Sequence, residues 1–182
     1  MIDMWKGAIM FDPTVFDNLK VALENELYDM DNLDQRVRIT GRVDRMELAV
    51  MSRLFRIQFQ LTDDNLITGE IELAASLQEL ASEILEQKGA EPGCVLTIRY
   101  RMPISNPDKN CPQIQQVIER IWPDQTLTQT ISYVYDPRKI SPMLSTTEIL
   151  FPRKINEEQM NDIPELALYA VQTVQELRDQ IK

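Results

Sequence analysis

Six arginines, Arg36, Arg38, Arg42, Arg56, Arg99 and Arg101, are the side chains of this sequence best suited to hold a ligand. A guanidinium pairs bidentately with phosphate and stacks on bases, so several on one face supply the backbone-tracking half of single-strand nucleic-acid recognition. The stacking half is missing beside them. Phe55 and Phe59 read as inward-facing, while Glu70 and Glu72 stand outward, where phosphates would pass. Cross-strand pairing of the arginines with these glutamates, under cover of acidic helix residues such as Asp17, Glu24, Glu26 and Asp29, explains the same charges without a ligand.

Catalytic chemistry has fewer candidates. The chain contains no His, which removes histidine general bases, Ser-His-Asp and Cys-His arrangements, and most zinc and iron sites. Its two cysteines, Cys94 and Cys111, are too few for a ligand quartet and too far apart for a redox pair, and read as buried thiols. Asp63-Asp64-Asn65 lacks the Gly and the Glu of a calcium loop and reads as a polar turn. Asp29, Asp31 and Asp34 read as solvated acids at a helix end, and Trp5 and Trp122 as packing residues. No nucleophile-base pair, phosphate loop or carboxylate dyad stands out. The expectation is a protein that is not an enzyme, with no cofactor and no metal.

A second binding chemistry is apolar. Residues 45–52 hold Met46, Leu48, Ala49, Val50 and Met51, an unusual composition for a loop standing in water. Either the flanking strands extend through it, or its tip touches another chain. On the second reading Met46, Leu48, Val50 and Met51 form a protein interface.

The chain that positions these residues has 182 residues, 43% hydrophobic and 26% charged, as expected of one compact soluble domain. Nineteen Lys and Arg against twenty-nine Asp and Glu leave a net charge of −10, so the field of the whole molecule repels polyanions and anionic membranes. The deficit lies at the ends: two basic and eight acidic residues over 1–34, eleven and twelve over 35–123, six and nine over 124–182. An acidic N-terminal arm, an Arg-rich centre and a C-terminal part packed on it are the expected divisions. The first residues are acidic where a signal peptide is basic, and no apolar run is long enough to span a membrane, so a cytoplasmic protein is expected.

Periodicity gives the elements. Ala8–Phe11 reads as a short strand, and Val15, Phe16, Leu19, Leu23 and Leu27 as a helix capped by Asp12 or Thr14 and ending near Met30. Arg36–Val43 alternates, with Val37, Ile39, Gly41 and Val43 on one face and Arg36, Arg38, Thr40 and Arg42 on the other. Arg53–Leu61 and Ile67–Leu73 continue as a hairpin. Ser76 opens a helix in a capping box with Glu79, with Leu77, Leu80, Ile84 and Leu85 as its apolar stripe and Gly89 as its stop. Val95–Met102 is a fourth strand. Gln113–Trp122 fits both a helical stripe and a β-branched strand, and the strand is preferred because the sheet has a vacancy. Leu127–Tyr135 and Glu148–Phe151 are further strands, and Glu157–Ile181 a long amphipathic helix with Pro164 at its start or a kink.

Three strands, a helix and two strands over residues 35–123, with Val37, Ile39, Gly41 and Val43 in the first, resemble the order of the OB-fold, a five-stranded antiparallel Greek-key barrel. The resemblance implies an α+β protein in which this OB-like barrel carries an N-terminal strand-helix arm and a C-terminal strand pair plus helix. It places strand one between strands two and four, which would gather the six arginines into one patch. An open sheet carrying the helices on one face is the alternative. OB-folds serve both nucleic-acid and protein-assembly modules. A protein-binding or assembly module, partnered by another protein or by itself and with no membrane, ranks first; binding of single-stranded DNA or RNA ranks second.

Overall fold

The computed structural model describes residues 14–136, 138 and 142–181; the expected strand Ala8–Phe11, with Trp5, lies outside them. The order is α1 (Val15–Asn32), β1 (Val37–Glu47), β2 (Ser52–Leu61), β3 (Asp64–Ala75), α2 (Leu77–Ile84), β4 (Val95–Ile104), α3 (Pro107–Ile121), β5 (Thr126–Ser132), β6 (Met143–Leu150), a 3-10 segment (Glu157–Asp162) and α4 (Ile163–Ile181). The fold is α+β. Its six strands form one open antiparallel sheet in the order β1-β2-β3-β4-β6-β5.

Two expectations are corrected here. Gln113–Trp122 is not a strand: Asn106 caps α3 by accepting from the Lys109 N–H, Pro107 stands in its first turn, and Ile114, Val117 and Ile118 are buried. The helical spacing of the apolar residues outweighs their β-branching. The place beside β4 is taken by β6, and β1 lies at an edge of the sheet rather than between β2 and β4, so the sheet does not close into the five-stranded barrel.

The core lies between one face of the sheet and three helices. Phe55, Ile57, Phe59 and Leu61 of β2, Ile71 and Leu73 of β3, and Leu96, Ile98, Tyr100 and Met102 of β4 point to it, as their alternation requires. From α1 come Phe16, Leu19, Leu23 and Leu27, with Thr14 accepting from the Asp17 N–H at its N-terminus. From α4 come Ala167, Ala170, Val171, Val174 and Leu177, and Pro164 sits in the first turn of α4, where the missing N–H costs nothing. Tyr100 donates from its hydroxyl to the Ala170 carbonyl, and Trp122 donates from Nε1 to Thr173 Oγ1 while its ring meets Phe151 and Tyr169 edge-on. Gly69 is required beneath the core: a Cβ there would come within 2.5 Å of the Phe59 ring. Among the described residues no helix covers the opposite face of the sheet, the outer face. No helix of the described residues is long and apolar enough to cross a membrane.

Candidate functional site

The outer face shows what the arginines do. Glu70 of β3 stands opposite Gln58 of β2 and Arg99 of β4, and Arg99 stands opposite Glu148 of β6. One row further along, Arg56 stands opposite Glu72. Glu70 is fully buried although no helix of the described residues lies above it, because cations enclose it: Arg99 Nη1 is 3.0 Å and Arg56 Nε 3.3 Å from Oε1, and Arg101 Nη1 is 3.2 Å from Oε2. Gln58 Nε2 donates to Oε2 at 2.6 Å. Gly41, opposite Gln58 in β1, makes this reach possible, since a Cβ there would lie 2.5 Å from Gln58 Oε1.

Arg99 is the hub of the network. Its Nε donates to Glu148 at 2.5 Å and its Nη groups to Glu70 and Glu72 at 3.0 and 3.1 Å. Arg56 donates to Glu72 through Nε and Nη2 at 2.9 and 2.5 Å. Burial alone would push the Glu72 carboxyl up, but the hydrogen bonds from Arg99 and Arg56 outweigh it and hold it below the usual carboxylate range. The same carboxylates outweigh burial at Arg99 and raise its guanidinium further. Three guanidinium groups meet three carboxylates, so the cluster is neutral.

Arg42 is not on this face. Ile39 pairs with Phe59 and Gly41 with Gln58, so Thr40 is an extra residue and β1 bulges there. Beyond the bulge the alternation reverses: Val43 pairs with Arg56 on the outer face, while Arg42 and Asp44 pair with Ile57 and Phe55 on the helix side. Arg42 donates to Glu24 of α1, and Lys20 of α1 to Asp44 at 2.9 Å. Arg53 meets Asp17 at 2.8 Å and lies over the Phe16 ring. Arg38 is exposed on the outer face, opposite Gln60, and Arg36 precedes the strand. Neither is in an ion pair among the described residues. Two strands, about 14 Å of sheet, separate Arg38 from Arg101. The six arginines are thus divided into three bound in a neutral network, one clamped to a helix and two at an edge.

The acidic clusters are also occupied by backbone. Asp31 accepts from the Ile39 N–H, and Asp64 from the Leu66 N–H at the start of β3, so that the β2-β3 turn is only Thr62-Asp63 and Asp64 and Asn65 of the expected polar turn are strand. Among the described residues no group of three potential ligands could hold a metal ion. Cys94 is buried and free, as expected, whereas Cys111, also free, is only half-buried on α3. Burial pushes the Cys94 thiol up to about 12, and the nearby Glu83 and Glu79 add to this.

The apolar loop proves to be strand for much of its length. β1 runs to Glu47 and β2 begins at Ser52, leaving a four-residue tip in which Met51 takes a positive φ of 51°. The strand extension does not hide the apolar residues: Met46, Leu48, Val50 and Met51 are 44, 73, 58 and 41% exposed. Beside them is a second apolar set that sequence reasoning placed in the core. α2 stops at Ile84 instead of continuing to Gly89, and of its stripe only Leu80 is buried, whereas Leu77, Ile84 and Leu85 are 50, 71 and 67% exposed. Ser76 caps this helix, but the Glu79 carboxylate does not complete a capping box; it accepts from the Gly93 N–H at 2.9 Å and from Lys154. Met46, Met51, Leu77, Leu80, Ile84 and Leu85 line one groove of about 790 Å³, to which Thr14, Asp17, Asp44, Arg45 and Arg53 add polar and charged lining.

The chain matches no protein-family model, no curated protein and no solved structure.

Proposed function

We propose that this protein is a non-enzymatic protein-binding module that seats an apolar helical segment of another protein in the groove between the β1-β2 hairpin and α2. The observation that carries this reading is the exposure of five large apolar side chains that line one groove, Met46 and Met51 at the hairpin and Leu77, Ile84 and Leu85 at α2 and its C-terminal cap. Scattered exposed apolar residues need no explanation, but a contiguous patch rimmed by charge marks an interaction surface. A concave apolar lining suits the side chains at i, i+3, i+4 and i+7 of an amphipathic helix. The groove has room for several such side chains. The arginine face supports a nucleic-acid role less well, since Arg56, Arg99 and Arg101 already hold carboxylates.

The test uses the full chain with methyl-labelled methionine and a synthetic amphipathic helix bearing Leu at this spacing. Saturable shifts confined to the Met46 and Met51 methyls, lost in Leu85→Asp with the melting temperature unchanged, are expected. No shift at about millimolar peptide, or the same shifts in Leu85→Asp, overturns the reading.

A further inference from the structure

The two edges of the sheet are finished differently. β1 carries Arg38, Arg42, Asp44, Arg45 and Glu47, bulges at Thr40, and is tied to α1 by two ion pairs. Charges and bulges are the usual means by which an edge strand is kept from pairing with another chain. β5, at the other edge, has none of them. From Gln125 to Tyr135 the chain has no charged residue, no Pro and no Gly. Within the described residues β5 pairs only with β6, and the residues after it, Tyr133, Val134 and Tyr135, are 70, 73 and 80% exposed.

We propose that β5 pairs with β5 of a second copy of this chain, antiparallel about Gln129, joining two six-stranded sheets into one. The partner follows from the sequence of the edge itself. In that register Leu127 faces the partner's Ile131 on the helix side, and Thr128 faces the partner's Thr130 on the outer side. Thr126 faces the partner's Ser132. These are apolar and hydroxyl pairs of the kind that stabilise neighbouring strands. A net charge of −10 opposes self-association, and this seam is where the opposition is least, since residues 125–135 carry no charge and Asp124 falls opposite the partner's Val134 rather than an acid.

Gln129, the residue on the proposed two-fold axis, is held by the chain's own α3, its Nε2 donating to the Cys111 carbonyl at 3.0 Å. A seam one strand long buries less than the standard interface of about 800 Å² per partner, so the dimer is weak and concentration-dependent.

This surface is separate from the apolar groove, and the test keeps the two apart. Sedimentation velocity of the full chain from about 5 to about 500 µM reads the mass, which rises toward that of the dimer across this range. Thr128→Lys/Thr130→Lys sets Lys against Lys at two places in the seam and holds the chain monomeric throughout. Thr128→Glu/Thr130→Glu does the same. Both threonines are exposed, so circular dichroism of each variant stays that of the parent. An equimolar mixture of the Lys and Glu variants restores the dimer, because Lys then faces Glu. A parent that stays monomeric to the highest concentration overturns the proposal, and so do variants that dimerise like the parent. In that last case Leu85→Asp, run alongside, reports whether the groove carries the association instead.

Discussion

Arg99→Met is the sharpest test of the idea that the outer-face arginines are spent on the protein's own carboxylates. The substitution keeps a long apolar stem and removes the one cation among the described residues that touches Glu70, Glu72 and Glu148 together. Removing one partner of a buried ion pair costs about 3–5 kcal/mol. Two features reduce this: Arg56 and Arg101 still reach Glu70, and the Glu148 side chain is 39% exposed, so its share is that of a surface pair. The expected loss is therefore about 2–4 kcal/mol, a fall in melting temperature of roughly 5–15 °C for a chain of this size. Urea and thermal unfolding followed by circular dichroism measure it. Glu70→Gln alone and combined with Arg99→Met completes a cycle in which the double variant loses less than the sum of the singles by about 1–3 kcal/mol. An Arg99→Met protein within about 0.5 kcal/mol of the parent, or a strictly additive cycle, refutes the reasoning, since the charges would then be independently solvated.

Two further outcomes depend on the same network. Labelled single-stranded DNA and RNA should show no micromolar binding by fluorescence anisotropy even at low salt; binding that weakens with a log-log salt slope of about −2 or steeper would mean that the arginines exchange their carboxylates for phosphates. The Glu72 carboxyl titrates below its ordinary value of 4.5 in the folded protein, so its contribution is complete above the unfolded value and disappears as pH falls through the folded one. The urea midpoint should hold from neutral pH to about 4.5 and then drop, and Glu72→Gln should start lower and drop less steeply.

Much of the fold could be read from alternation. Strands β2, β3 and β4 each keep an apolar face, and their inward residues, from Phe55 to Met102, are buried. The helices α1 and α4 announce themselves by stripes long enough to average out local exceptions. Failure came where a short segment carried two periods or where topology decided. Gln113–Trp122 satisfies both a helical and a β-branched pattern over ten residues, and the residues that settle it, the Asn106 cap and Pro107, lie outside that window. The pairing of β4 with β6 is a long-range choice made by the whole sheet, which no local spacing encodes.

The candidate site was half legible. Opposition of Arg56 to Glu72 could be anticipated from hairpin alternation, and the exposed apolar tip from its composition. What sequence could not supply was the identity of the groove's second wall. Leu77, Ile84 and Leu85 have the spacing of a core stripe, and that spacing looks the same whether a helix is buried or waiting for a partner. The early stop of α2 was not announced either, since Gly89 reads as its end; with eight residues the helix presents only two turns, and of its apolar residues Leu80 alone is buried.

The extra residue at Thr40 has an effect far from its own position. A strand is a wave of period two, and an inserted residue shifts its phase by half a cycle, so everything downstream changes sides while everything upstream keeps its own. In β1 the crest that begins with Val37 and Ile39 would otherwise have carried Val43 toward α1 and turned Met46 away from the helices. After the shift, Arg42 and Asp44 take the helix side and Met46 arrives at the groove wall. One residue, six positions upstream, thereby decides on which side of the sheet the hairpin offers its methionine, and a strand that looks continuous along its backbone serves two surfaces in succession.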